Sequence, residues 1–412
     1  MTTHAGPSGG TVTERRPELD AMRALVVVGL VFFHASLVFD SRDDFYVKNA
    51  ETTGITFVIA GLCVIWAMPL LFLIAGLGTW HSLRRRGPGG FAVERLLRLG
   101  VPLVFALAVL LPVPQWLRAR GTPGYAESYW EFWPRFFTVR LDLGDFPFVL
   151  EGEHFETGHL WFVVLLLTFS LLLAPLVRWV PRERARRARA RLVALSRPRG
   201  ALLLLGLPVA AVCAVIGLAE EFGGWDRWAY LVFFLYGFLL VTDRGFRAAM
   251  RRDRVPAAVA AVALLAVGMP GFVLVGQDPG ADPFRDLTPL AVGVRTLYGL
   301  AGWCALVAIL GALDRPRPAS GGSPGRRRGW YAYLAPAVLP LYILHQPIVV
   351  AVAYFVVGWR APILVEYLVI VAVSLALTLL AYDLLVRRTR VTRFLFGMRE
   401  PTAGSGSPAR PR

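Results

Sequence analysis

The chain of 412 residues is 56% hydrophobic and only 17% charged, with a positive mean hydropathy, which excludes an ordinary soluble domain and calls for a bilayer. Its formal net charge of +16 would suit a nucleic-acid binder. The basic runs RERARRARAR and RRR, however, lie in short segments between hydrophobic stretches, where membrane topology and anionic lipid account for them and nucleic acid is no partner.

The chain opens with MTTHAGPSGGTVTERRP, residues 1–17, a Gly-, Ser- and Thr-rich arm expected to be disordered and cytoplasmic. A hydrocarbon core about 30 Å thick takes about 20 apolar residues of helix. Ten such runs follow, near 23–40, 54–78, 97–116, 159–179, 200–219, 227–241, 256–275, 289–313, 333–357 and 362–386. The sixth is short and the eighth carries Arg295. The charge pattern supports ten: with a cytoplasmic N-terminus, the inward segments near 81–98, 178–199, 243–254, 314–331 and 387–412 hold 31 of the 44 Lys and Arg residues. The expectation is an all-α, multi-pass protein of the cell membrane with both termini cytoplasmic. A membrane domain covers 18–390, and 391–412 form a tail whose PTAGSGSPARPR end is again expected to be disordered. No cleavable signal is evident.

The first run, RALVVVGLVFFHASLVF, contains a titratable imidazole at His34. Arg23 lies 11 residues earlier; at about 100° per residue the two share a helix face roughly 16 Å apart along the axis, with Asp20 a turn below. An ionisable group at mid-membrane is costly and marks a cavity, a partner or a reaction, with an interhelical packing hydrogen bond as the bland alternative. Beyond the third run, residues 117–157 combine seven acids, Glu153 and Glu156 among them, with ten aromatics. That mixture suits a sugar, which offers C–H faces and hydroxyls together; an interfacial aromatic belt with a solvated acidic loop fits equally. His159 and Trp161, in HLWF, open the fourth run at the outer surface. In the ninth, LPLYILHQPIV places His345 near mid-membrane with Tyr342 one turn below and Pro347 just above. His4, His81 and His154 are weak candidates by position. Cys63, Cys213 and Cys304 fall inside predicted helices without metal-like spacing and are read as packing residues, so neither a metal nor a permanently bound cofactor is expected.

Together these residues resemble the membrane-bound acyltransferases of family 3, over nearly the whole chain. The similarity is carried by Leu19-Asp20-Ala21-Met22-Arg23 and, after ten intervening residues, His34; by MPLLFLIAGLGTW in the second run; by Arg95-x-x-Arg98; by HLWF at 159–162; and by YILHQP at 342–347. MPLLF and HLWF are most similar to the branch that contains glucan-modifying succinyltransferases. Ala24 departs from the Gly often found after the Arg.

The resemblance implies transfer of an acyl group, acetyl first and succinyl next, from cytoplasmic acyl-CoA as donor substrate to a hydroxyl of an extracytoplasmic glycan or glycolipid. Arg23, Arg95 and Arg98 are then candidate partners for the CoA phosphates, although positive-inside retention also explains the last two. His34 would remove the alcohol proton, with His345 or Tyr342 donating to the oxyanion; an acyl-imidazole on His34 is the competing route. His159, Trp161, Glu153 and Glu156 are the acceptor-side candidates. The runner-up readings are a proton-coupled transporter and a flippase or scaffold of an envelope polysaccharide system. The first would favour deep acids, whereas Glu366 and Asp383 lie towards the ends of the tenth run.

Overall fold

A computed structural model describes residues 17–240, 243–278, 280–314 and 327–399, with no side-chain description for Phe57, Arg182 and 327–332. The arm and the end of the tail expected to be disordered, residues 1–16 and 400–412, lie outside these. The described chain is a helical bundle. Its strands are the two-residue β1 (Arg140–Leu141) and β2 (Leu150–Glu151), antiparallel in the long loop.

α1 (Pro17–Leu37) is one uninterrupted helix, so Arg23 and His34 keep the shared face that their spacing requires. It ends where Lys48 Nζ donates to the Leu37 carbonyl at 2.9 Å, a charged cap on a group the helix leaves unpaired. α2 (Ile55–Arg95) breaks at Gly87, whose φ of 71° is closed to most side chains. There the chain reverses, because Ser82 donates to Glu94 at 2.6 Å and Arg95 to Thr79 at 3.5 Å across the break. The returning arm continues through a π-helical turn (Leu96–Gly100), α3 (Val101–Val109) and α4 (Pro112–Arg120).

After the loop come α5 (Tyr129–Phe136), α6 (Trp161–Trp179) and α7 (Arg182–Leu195), then α8 (Leu207–Val215), α9 (Arg227–Leu239), α10 (Arg244–Val275), α11 (Pro289–Leu313), α12 (Arg327–Val356), α13 (Ile363–Ala381) and α14 (Arg390–Leu395). Among the described residues seven segments are long and apolar enough to cross a membrane: 17–37, 58–120, 158–179, 244–275, 289–313, 333–356 and 363–386. The second of these is the hairpin just described. Ala201–Val215 is a shorter apolar helix, and α9 has 13 residues.

Two features explain the segments that looked weakest in the sequence. α9 is short but crosses α2 backbone to backbone: a Cβ on Gly237 would stand 1.8 Å from the Leu73 carbonyl oxygen, so only glycine permits this approach. In α11, Arg295 is fully buried and donates to the Cys213 (3.0 Å), Ala214 (3.2 Å) and Pro283 (3.2 Å) carbonyls. It thus caps the C-terminus of α8, where unpaired carbonyls and the helix dipole both favour a cation.

The interior divides into two apolar clusters. The larger joins α2, α6, α8, α9 and α11; the smaller joins the second halves of α1 and α12 to α13 and the 38–47 loop. His34 sits between Val31 and Ala35 of the smaller cluster, while Leu160 and Leu344, beside His159 and His345, belong to the larger. The polar site lies on the seam between the two. α10 and α13 expose Val259, Val262, Leu368 and Leu377, an outward apolar face of the kind lipid covers.

Candidate active site

Three helices bring three imidazoles together. His34 on α1 and His345 on α12 have ring centroids 5.1 Å apart; His159, at the entry to α6, lies 5.0 Å from His345 and 6.4 Å from His34. All three are buried. α1 packs along α12, which makes the first pair, and the third ring is delivered by the turn before α6. There Gly158 has φ 46°, and a Cβ on it would stand 2.9 Å from the Tyr46 hydroxyl, so the turn needs glycine.

The hydrogen bonds distinguish the rings. His345 Nδ1 faces the Tyr342 carbonyl at 2.5 Å, which fixes a proton on Nδ1 and leaves Nε2 of the neutral ring as an acceptor. His345 Nε2 and His34 Nδ1 are both buried without a protein partner. His159 is held on every side: Nδ1 meets Gln346 Oε1 at 2.5 Å, Nε2 meets the Ile343 carbonyl at 3.2 Å, and its backbone N–H donates to Gln346 Oε1 at 3.3 Å. Tyr342 donates its hydroxyl to the His159 carbonyl. Two expected oxyanion donors are therefore engaged otherwise: the Tyr342 hydroxyl is committed to the backbone, and neutral His345 presents a lone pair.

The acceptor-side candidates separate. Glu156 accepts from Tyr46, whose ring packs edge-on to Phe45 (5.3 Å), and Phe45 in turn stacks on His34 (6.0 Å). Burial and the Glu156 carboxylate hold the Tyr46 phenol well above its ordinary range, so it remains a donor at neutral pH. The Arg118 guanidinium lies over the Tyr46 ring, 5.0 Å from its centroid. Trp161 lies inside an aromatic stack with Phe72, Phe222 and Tyr230, not at a surface. Glu153 points to solvent, 81% exposed, 3.7 Å from His154. A cavity of about 160 Å³ lies between α1, α2, α10 and α11; Phe33, Met269 and Tyr298 line it together with the charged Arg42, Asp43 and Glu220. The Phe33 ring is edge-on to His34 at 5.2 Å.

Arginines gather at the opposite end of α1. Arg23 donates to the Ile74 carbonyl at 3.1 Å and lies 3.7 Å from Asp20. Arg95 is within electrostatic reach of Arg23, Arg98 and Arg399, and Arg98 donates through Nε to the Gly397 carbonyl at 3.2 Å. Arg23, Arg95 and Arg98 thus form one group, about three helical turns from His34. Of the acids that a proton relay would use, Glu366 accepts from the Ala361 N–H and Asp383 is bound by Arg387 and Tyr333, none of these bonds involving the imidazoles.

Sequence reasoning passed over Gln346, Tyr46 and Phe45. Gln346 carried a signal, a second polar residue beside His345 in an apolar run; Tyr46 and Phe45 carried none, since only the fold of the 38–54 loop brings them over His34.

The family model described as an acyltransferase domain, of the acyltransferase 3 type, matches residues 16–383. No curated protein and no solved structure matches the chain.

Proposed function

Because the chain belongs to acyltransferase family 3 and is therefore a membrane acyltransferase, we propose that it moves an acyl group, acetyl first and succinyl next, from cytoplasmic acyl-CoA to a hydroxyl of an extracytoplasmic glycan or glycolipid. It does so as a protein of the cell membrane that crosses ten times, with both ends in the cytoplasm. The hairpin at Gly87 and the two short helices α8 and α9 support that count, and the concentration of Arg at one end supports the orientation. The likeness of MPLLF and HLWF to the glucan-modifying succinyltransferases supports a polysaccharide acceptor.

The observation that carries the reaction is the pair of buried, unpartnered imidazole nitrogens, His34 Nδ1 and His345 Nε2, on adjacent rings. A sugar hydroxyl is a poor nucleophile until its proton is leaving, and imidazole accepts it at neutral pH. His34 takes the proton as the hydroxyl oxygen forms its bond to the thioester carbonyl carbon. The resulting imidazolium is stabilised by the His345 Nε2 lone pair. When the tetrahedral intermediate collapses, the C–S bond breaks and the proton returns to the leaving thiolate, giving ester and free CoA. His159, Gln346 and Tyr342 hold the geometry. The Arg23, Arg95 and Arg98 group binds the CoA phosphates, which cannot enter hydrocarbon, while the thin arm reaches along α1. The cavity beside Phe33, lined mostly by apolar residues with Arg42, Asp43 and Glu220 among them, suits an amphiphilic acceptor.

The test is release of the CoA thiol by purified protein given acetyl-CoA or succinyl-CoA and envelope glycan extract. His34→Ala should fold normally and lose at least about 10²-fold in rate. Activity within a few-fold of wild type would end the assignment, and a purified wild-type protein that leaves both thioesters intact would return the transporter reading. Mass spectrometry of envelope glycans and lipids from a deletion strain identifies the acyl group and the acceptor.

A further inference from the structure

The arginine group contains a carboxylate at its centre. Glu94 is only 10% exposed, and its Oε1 is approached by Arg86 Nη2 at 3.0 Å, Arg399 Nη2 at 3.2 Å and Arg98 Nη1 at 3.7 Å, while Oε2 accepts from Ser82 at 2.6 Å. Three guanidiniums converge on one oxygen. Arg95 lies beside them, within electrostatic reach of Arg98 and Arg399, its Nη2 3.5 Å from Thr79 and its buried Nε without a partner.

Arg399 reaches this place from the far end of the chain. The segment after α14 folds back on the π-helical turn: Phe396 packs edge-on to Phe105 at 5.3 Å, and the Gly397 carbonyl accepts from Arg98. The start of the expected tail is therefore part of the basic site. A single carboxylate balances one of these cations and leaves the others repelling one another, an arrangement that favours a polyanion. Carboxylate and phosphate oxygens accept from the same guanidinium fork, so Glu94 Oε1 occupies the kind of position that a phosphate oxygen would take.

We propose that Glu94 is a displaceable stand-in for a phosphate of the acyl donor, and that Arg399 is a further phosphate ligand brought in by the C-terminal segment. On donor binding, Arg98 and Arg399 exchange the Glu94 carboxylate for phosphate. The inference rests on the reading of the donor as a CoA thioester. The competing role for Glu94 is that of a staple joining the two arms of the α2 hairpin to the C-terminal segment, and the two roles predict opposite signs. As a competitor for the guanidiniums, Glu94 weakens donor binding; as a staple, it strengthens it.

The experiment is calorimetric titration of CoA into the full-length protein in detergent, at low and high salt. Glu94→Gln should bind CoA roughly three- to tenfold tighter and Arg399→Gln weaker by a similar factor, a modest size because the guanidiniums are partly solvated. Both differences should shrink at high salt, as screened charge contacts do and packing defects do not. Equal or weaker binding by Glu94→Gln overturns the stand-in role, and unchanged binding by Arg399→Gln overturns the ligand role. Arg399 is 60% exposed and follows the last helix, α14, so its variant tests the idea even where Glu94→Gln fails to fold. A wild-type protein that does not bind CoA overturns the donor reading and this inference together; wild-type binding with both variants unaltered overturns this inference alone.

Discussion

Tyr342→Phe separates two roles that its position near the imidazoles invites. The substitution removes one oxygen from a fully packed site and leaves the His159 carbonyl without its donor. A buried acceptor left unpaired costs about 1–3 kcal/mol, so the melting temperature should fall by a few degrees. His159 would still be held by Gln346 and Ile343, so its ring moves little and the rate should fall by less than about tenfold. An oxyanion donor behaves differently: its removal costs about 10²–10³ in kcat, roughly 2.7–4 kcal/mol at the transition state, without a matching loss of stability. Thermal unfolding in detergent together with CoA-thiol release on the same preparation measures both quantities. A loss of 10²-fold or more in kcat at an unchanged melting temperature would refute the assignment of Tyr342 to positioning and give it the oxyanion.

Replacing Arg95 and Arg98 together by Gln should weaken acyl-CoA binding by tens-fold, since charge-assisted bonds contribute about 1.5–3 kcal/mol each before solvent screening, with a smaller effect on turnover at saturating donor. Normal CoA binding by that variant would reduce both arginines to topology signals. Arg295→Met leaves the Cys213 and Ala214 carbonyls at the end of α8, and the Pro283 carbonyl, without this donor and should lower stability by about 3 kcal/mol or more, with KM for acyl-CoA unchanged in the folded fraction; a melting temperature equal to wild type would contradict the capping role. In a background lacking Cys63, Cys213 and Cys304, cysteines at 185–195 and 320–325 should be protected from impermeant thiol reagents in intact cells, whereas those at 125 and 280 should label. Reversal of that pattern would place the donor site outside, and labelling of both sets would refute ten crossings.

The sequence by itself determined that the chain lies in a membrane, because hydropathy and the placement of Arg are local properties that no packing arrangement alters. It also determined that Arg23 and His34 share a helix face, since α1 is unbroken and a helix fixes the angle between any two of its residues. Histidines at 34 and 345 stood out for the same reason: each is costly where its own neighbours are apolar. What the sequence could not specify were relations between elements. His159, read as a surface residue at a helix start, is buried against the other two rings because a glycine turn and the packing of α6 on the bundle put it there. Trp161 and Glu153, two and six residues from it, were indistinguishable by type from the residues that the fold gathers at the imidazoles, yet one faces the aromatic core and the other faces solvent. Glu94 and Arg399, separated by 305 positions, became partners only when the C-terminal segment folded back on the α2 hairpin. The tautomer of His345 was likewise decided by the fold, since the backbone carbonyl that takes its Nδ1 proton is placed by helix geometry and by nothing in the residue type.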